Sequence, residues 1–288
     1  VQRLLVGLVF TSFGLAKIVA AAPDDLLASY HFIGATALAN NANATNLKAI
    51  LTLPDSVKFR ADVLQKLSRT AVKLLGADSK NASQVALLRP LFDDLMTSES
   101  FAEFRGTKAS PIFLLAARLT DERSRLWETN LQKTGGKSKP VKVDGNSGWE
   151  IKAGANSLKF LRAEKWTVII VGAEPTAAAT DFLKQIRKTT TVASDKTWLE
   201  TDIDWPKLKG FLPLEKFPLK PARTQVQISG KDKNLRTVAR IIYPEKIAWK
   251  SEPWRIPEEL VRDPLISFSA MQRIAPYLQR PIFPAQTT

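Results

Sequence analysis

The chain has 288 residues, 44% hydrophobic and 24% charged, the balance of a globular protein with apolar mass for one large domain or two of ordinary size. It contains no cysteine and a single histidine, His31. Disulfides, thiolate nucleophiles, zinc ribbons and metal centres built on two or more imidazoles are therefore excluded, and no cofactor is expected. Basic residues exceed acidic ones, 42 to 28, a net charge of +14.

Reading from the start, Arg3 precedes an apolar run from Leu4 to Ala16, and Val19-Ala20-Ala21 supplies small residues for cleavage. Lys17 interrupts the run, which is shorter than the ~20 residues that span a bilayer. Pro23-Asp24-Asp25 would break any helix leaving it. Residues 1–21 are expected to be a signal peptide, and the mature protein to be exported, periplasmic or extracellular, without an integral membrane span. The remainder divides into an N-terminal α+β region, 22–145, and a C-terminal α+β region, 146–288. The first holds 17 basic and 13 acidic residues and the second 23 and 15, so the excess lies mostly in the second.

In the first region His31–Ala39 reads as a short strand, followed by an Asn-rich patch and a helical turn around Leu47–Leu51. Ser56 is the expected N-cap of a helix carrying Phe59, Val63, Leu67, Val72 and Leu75 at helical spacing, with Gly76 at its end. A second helix is expected over Ser83–Met96, kinked or divided by Pro90. Phe101–Arg105 alternates as a strand does, Pro111–Leu119 is a continuous apolar strand, and Thr120 caps a helix over Arg123–Gln132. Lys133–Lys139 reads as a basic loop.

The pattern then recurs. Trp149–Ala153 and Leu158–Ala163 form an expected strand pair, Lys165–Ala173 a buried strand, and Thr176–Lys188 a helix with Ala179, Phe182, Leu183 and Ile186 on one side. Trp198–Trp205 alternates, and a helical turn follows at Pro206–Leu212. A hairpin is expected over Thr224–Ser229 and Leu235–Tyr243, turning at Gly230–Asn234. A further strand at 264–270 and a helix from Met271 to Leu278 precede a C-terminus with no closing element, which leaves a continuation beyond Thr288 open. Two βαβ-like units with hairpins point to an α+β fold, with antiparallel or mixed sheets covered by helices.

Several stretches carry a resemblance. They are Leu87–Leu95 with Glu103–Gly106, Ala117–Leu131, Gly148–Ile151, Asp204–Leu208, and Trp254–Pro257 with Asp263–Phe268. Together they resemble a family of exported proteins of unknown function from verrucomicrobial bacteria. The resemblance implies secretion and a family length greater than this one, and it assigns no site residue.

Candidate chemistry is sparse. Seven Trp residues all lie at or beyond position 127, and exposed indoles stack on sugars, so a glycan-binding surface is one reading and core packing the other. Trp127 and Trp166 sit in apolar, core-like patterns. Paired carboxylates suit glycosidic acid–base work at a suitable separation. Asp93 with Asp94 and Asp121 with Glu122 are helix neighbours that diverge, whereas Asp202 and Asp204 share a strand face beside Trp198 and Trp205. Those four residues, Trp198, Asp202, Asp204 and Trp205, form the candidate binding site. No residue is assigned a catalytic role, and none a metal. Gly135-Gly136-Lys137-Ser138 lacks the first glycine of a phosphate loop, with Leu at 131, and follows a helix where the motif requires a strand. His31 reads as a structural histidine.

No nucleic-acid partner is expected, since no binding motif accompanies the charge. Anionic envelope polymers or glycans are the partners the charge would suit. The expectation is an exported, non-enzymatic structural or ligand-binding protein, with a carboxylate-dependent polysaccharide hydrolase as the alternative.

Overall fold

The computed structural model describes residues 25–74, 80–153, 156–172, 176–188, 197–208, 211 and 222–243. The expected signal peptide, Gly76, Trp249, Trp254 and the elements of 264–278 lie outside them.

Ten strands form one sheet: β1 (Leu26–Phe32), β2 (Ser100–Gly106), β3 (Pro111–Arg118), β4 (Lys139–Val143), β5 (Asn146–Ala153), β6 (Asn156–Ala163), β7 (Trp166–Gly172), β8 (Leu199–Asp204), β9 (Arg223–Lys231) and β10 (Asn234–Ile242). Their order across the sheet is β10-β9-β8-β1-β2-β3-β7-β6-β5-β4, and every pairing is antiparallel. The α+β class is as expected, with an antiparallel sheet and not a mixed one. The division at 145/146 falls in the two-residue turn between β4 and β5, and strands from both regions share the sheet.

Among the described residues seven α-helices accompany the strands: α1 (Ala35–Ala39), α2 (Thr45–Leu51), α3 (Pro54–Leu74), α4 (Ala82–Thr97), α5 (Asp121–Gly135), α6 (Thr176–Lys188) and α7 (Trp205–Leu208). Helices α3, α4 and α5 lie on one face, where Leu64, Leu88 and Trp127 meet Phe104, Leu115, Phe160 and Ile169. Helix α6 covers the other, where Phe182, Leu183 and Ile186 meet Leu114, Leu161, Trp166 and Ile170. Strands β3 and β7 lie between helices on both sides. Their sequences, PIFLLAAR and WTVIIVG, are accordingly apolar almost throughout instead of alternating.

Local chemistry explains most boundaries. Thr120 caps α5 by accepting from the Arg123 amide, as expected, and Asn81 caps α4 by accepting from Ser83 and Gln84. Gly136 ends α5 at φ 88°, a conformation that favours glycine. Pro90 stands inside α4 without dividing it.

Four expectations need correction. Ser56, expected as the N-cap of α3, lies inside that helix, which begins at Pro54. The stretch expected as a strand from His31 to Ala39 divides, because Gly34 (φ 87°) turns the chain from β1 into α1. The basic loop expected over Lys133–Lys139 shrinks to residues 136–138, since α5 runs to Gly135 and β4 begins at Lys139; the single buried residue of β4, Val143, gave little periodicity. The hairpin turn is tighter than Gly230–Asn234. Asp232 and Lys233 both have positive φ (52° and 67°), the geometry of a two-residue turn, so β9 and β10 run through the flanking residues.

Candidate functional site

The four residues chosen from sequence lie on or beside β8. Asp202 and Asp204 stand two apart on that strand, opposite Gln225 and Arg223 of β9. Asp202 accepts from Arg223 Nε at 2.7 Å, from Arg223 Nη2 at 2.6 Å and from Gln225 Nε2 at 2.9 Å. The hydrogen bonds that Arg223 donates to Asp202 raise the Arg223 pKa. Asp204 accepts from the Lys207 amide at 3.1 Å and so caps α7, with Lys207 Nζ 3.7 Å away. Trp205 donates to Thr224 Oγ1 at 2.9 Å and packs against the core. Trp198 is buried with Ile33, Leu38 and Ala44. A Cβ at Gly230 would collide with its ring, so that glycine lets the β9–β10 hairpin close over the indole. The structure thus places Asp202, Asp204 and Trp205 together as a bonded corner, with Trp198 inside a separate small core.

Several other carboxylates are engaged too. Asp93 pairs with Arg89 one turn away. Asp94 points inward and accepts from Arg123 at 2.9 Å and from Trp127 Nε1 at 2.8 Å. On the α6 side of β2, Glu103 and Arg105 form a buried pair, 2.7 Å from Nε to Oε2. Burial raises the Glu103 pKa, against the opposing pull of Arg105. His31 stacks flat on Phe101, with ring centroids 4.0 Å apart, and its Nε2 lies 3.2 Å from Glu99 Oε1. Burial pushes the Glu99 carboxyl up, but hydrogen bonds and charge from His31 and Arg118 outweigh it and hold the pKa below the ordinary value. Glu200, opposite His31 on β8, goes the other way: burial raises it more than His31 lowers it. Among the described residues no group of three or more His, Asp or Glu gathers to hold a metal.

The space that chemistry leaves open is elsewhere. A cavity of about 340 Å³ lies between the sheet and the helix pair α3–α4. Its floor is formed by Ala28 of β1, Ala102 and Phe104 of β2, and Leu115 of β3, which the strand register places on one face. Its roof comes from Phe59, Leu64 and Leu67 of α3 and Met96 of α4. The cavity follows from side-chain size. On this side β1 and β2 carry Ala28, Ala102 and Ser100 between the larger Tyr30 and Phe104, and the small residues leave space under α3.

Two of its polar lining residues stand out. Ser100 lines the cavity, is fully buried, and its Oγ has no hydrogen-bond partner among the described residues. Arg60 lines it from α3 and is exposed to solvent. Around the same end the surface is apolar, with Ile50, Leu51, Leu53, Val57 and Phe59 all exposed. The sequence reading placed Phe59 on the buried stripe of its helix, yet 71% of it is exposed, one turn beyond the part of α3 that reaches the sheet. The apolar cluster in 50–59 and the small residues facing it from β1 and β2 were the signals that could have disclosed the cavity.

Fold and cavity together define an α+β protein with an apolar pocket between its helices and its sheet. No family model and no curated protein matches the sequence. Two solved structures, crystal forms III and IV of TP0453, are similar over 79% and 76% of this chain and 83% and 80% of theirs, at 12% identity. Their TM-scores are 0.36 and 0.37, a likeness too slight to carry an argument about function.

Proposed function

We propose that this is a non-enzymatic binding protein, exported from the cell, that holds an apolar small molecule between α3, α4 and the sheet. The observation that carries the reading is the cavity, about 340 Å³ of space walled by aliphatic and aromatic side chains, within the ~300–1,000 Å³ usual for ligand sites. Cavities of that size are uncommon in close-packed interiors, where each missing contact costs dispersion energy. A ligand that fills the space restores those contacts.

The engagement of Asp94, Asp202, Asp204 and Glu103 in ion pairs or caps supports binding over acid–base catalysis. The basic and apolar amino-terminal segment supports export, and outside the cell the 40 basic and 28 acidic residues of 22–288, a net charge of +12, would favour contact with anionic envelope polymers or glycans.

The test is titration of the full chain with a fluorescent naphthylamine dye that brightens in apolar surroundings. One saturable site is expected, and Ala102→Phe, which puts a ring into the space, should abolish it. Linear, non-saturating fluorescence, or saturation that Ala102→Phe leaves unchanged, would overturn the reading.

A further inference from the structure

Resting on that reading, we infer that the ligand is a single-chain amphiphile with an acidic head group, of the fatty-acid class, with its chain over Ala102 and Leu115 and its head at Arg60. The cavity wall is mostly apolar, with Ser29, Tyr30, Ser56 and Ser100 as neutral polar members and Arg60 as its exposed cation. Helix α4 passes into β2 through residues 98–99, which brings Met96 and Ser100 to the same end. Helices α3 and α4 lie side by side, with Arg89 Nη1 donating to the Ala61 carbonyl at 3.4 Å. The cavity wall pairs the amino-terminal half of α3, Ser56 to Leu67, with the last turns of α4. Arg60, exposed on α3, therefore marks the solvent side of the cavity, and the buried Phe104, Phe113 and Leu115 its inner wall.

The remaining steps are chemical. The inner walls offer no charged side chain, so they suit a hydrocarbon chain; Glu103 belongs to the opposite side of β2, where it pairs with Arg105. At the mouth Arg60 makes no ion pair or hydrogen bond with the described residues, which leaves its guanidinium free for an anion. A volume near the lower end of the range for ligand sites suits one aliphatic chain better than two. The bound molecule is held and released unchanged, with no bond made or broken.

The experiment is calorimetric titration of the full chain with dodecanoate, dodecan-1-ol and dodecylammonium, each below its micelle concentration. Dodecanoate is expected to bind about tenfold more tightly than the alcohol, and dodecylammonium most weakly. Arg60→Glu, a change at an exposed position that should not disturb folding, is expected to erase the preference for the acid and leave the alcohol's affinity within about twofold. Ala102→Phe should eliminate all three. Equal affinity for acid and alcohol, or a preference that survives Arg60→Glu, would overturn the inference. If the naphthylamine dye saturates but none of the three amphiphiles binds, the ligand class is wrong and the binding reading stands. If neither dye nor amphiphile binds, the binding reading itself falls.

Discussion

On one side of β2, Phe101, Glu103 and Arg105 face α6, and on the other, Ser100, Ala102 and Phe104 face α3 and α4 across a cavity. The first side is filled: Phe182, Leu183 and Ile186 are fully buried against it, and its one ion pair is sealed from solvent. The second is filled only in part. Trp127, Trp149 and Phe160 close the portion under α5 and its neighbouring strands, and the portion under α3 stays open. One strand thus serves two purposes by alternating its residues. The packed side holds the sheet together, and the open side leaves room that a packed one would not.

Substitutions on the two sides should therefore differ sharply. The largest effect is expected for Phe182→Ala at the centre of the α6 layer, which should cost about 3–5 kcal/mol in urea denaturation, whereas Phe59→Ala on the exposed lip should stay within about 0.5 kcal/mol. A small cost at Phe182 would mean that α6 does not seal its face. Next comes Asp94→Ala, which strips the acceptor from the buried Trp127 indole and from Arg123, and should cost about 2–3 kcal/mol by the same measurement. The sharpest comparison is one substitution made on both sides. Ala116→Phe faces the filled α6 layer and should cost about 1–3 kcal/mol or more, while Ala102→Phe enters the cavity and should change stability by less than about 1 kcal/mol. Equal costs would mean that the two faces are packed alike.

The smallest effect concerns acid. Because the Glu99 pKa is lowered in the folded protein, its ion pairs stabilise above the ordinary carboxylate range, and that stability is lost as pH falls through the folded pKa. Glu200 has the opposite sign. Its raised pKa means a contribution present below the ordinary value and lost as pH rises through the folded one. Urea midpoints measured between about pH 6 and pH 3 should therefore fall less steeply for Glu99→Gln than for the parent chain. An unchanged slope would show that Glu99 and His31 are not coupled as described.

Much of the fold could be read from residue patterns because local physics and packing agree there. The Thr120 cap, the continuous apolar strand at Pro111 and the amphipathic helix ending at Lys188 each carry a signal that tertiary structure then uses. The failures share a cause. Residues 31–39 read as one strand because apolar spacing does not register the positive φ of Gly34, and β4 was passed over because it sits at the sheet edge with only Val143 buried. The cavity was harder to see. Periodicity along α3 identifies a buried stripe, but whether Phe59 meets protein or open space depends on the sizes of Ala28 and Ala102, remote in sequence. The corner formed by Asp202, Asp204 and Trp205 was legible as a strand face, whereas its engagement by Arg223, Gln225 and Thr224 arises only from the β8–β9 register.

The central claim is that the space beneath α3 receives a ligand and the space beneath α6 does not. Methyl-resolved NMR of the full chain, titrated with dodecanoate, tests it directly. Saturable shifts are expected at Leu64, Leu67, Met96 and Leu115, with Leu183, Ile186 and Ile170 unmoved. Shifts at the α6 methyls, or none at those that wall the cavity, would contradict it.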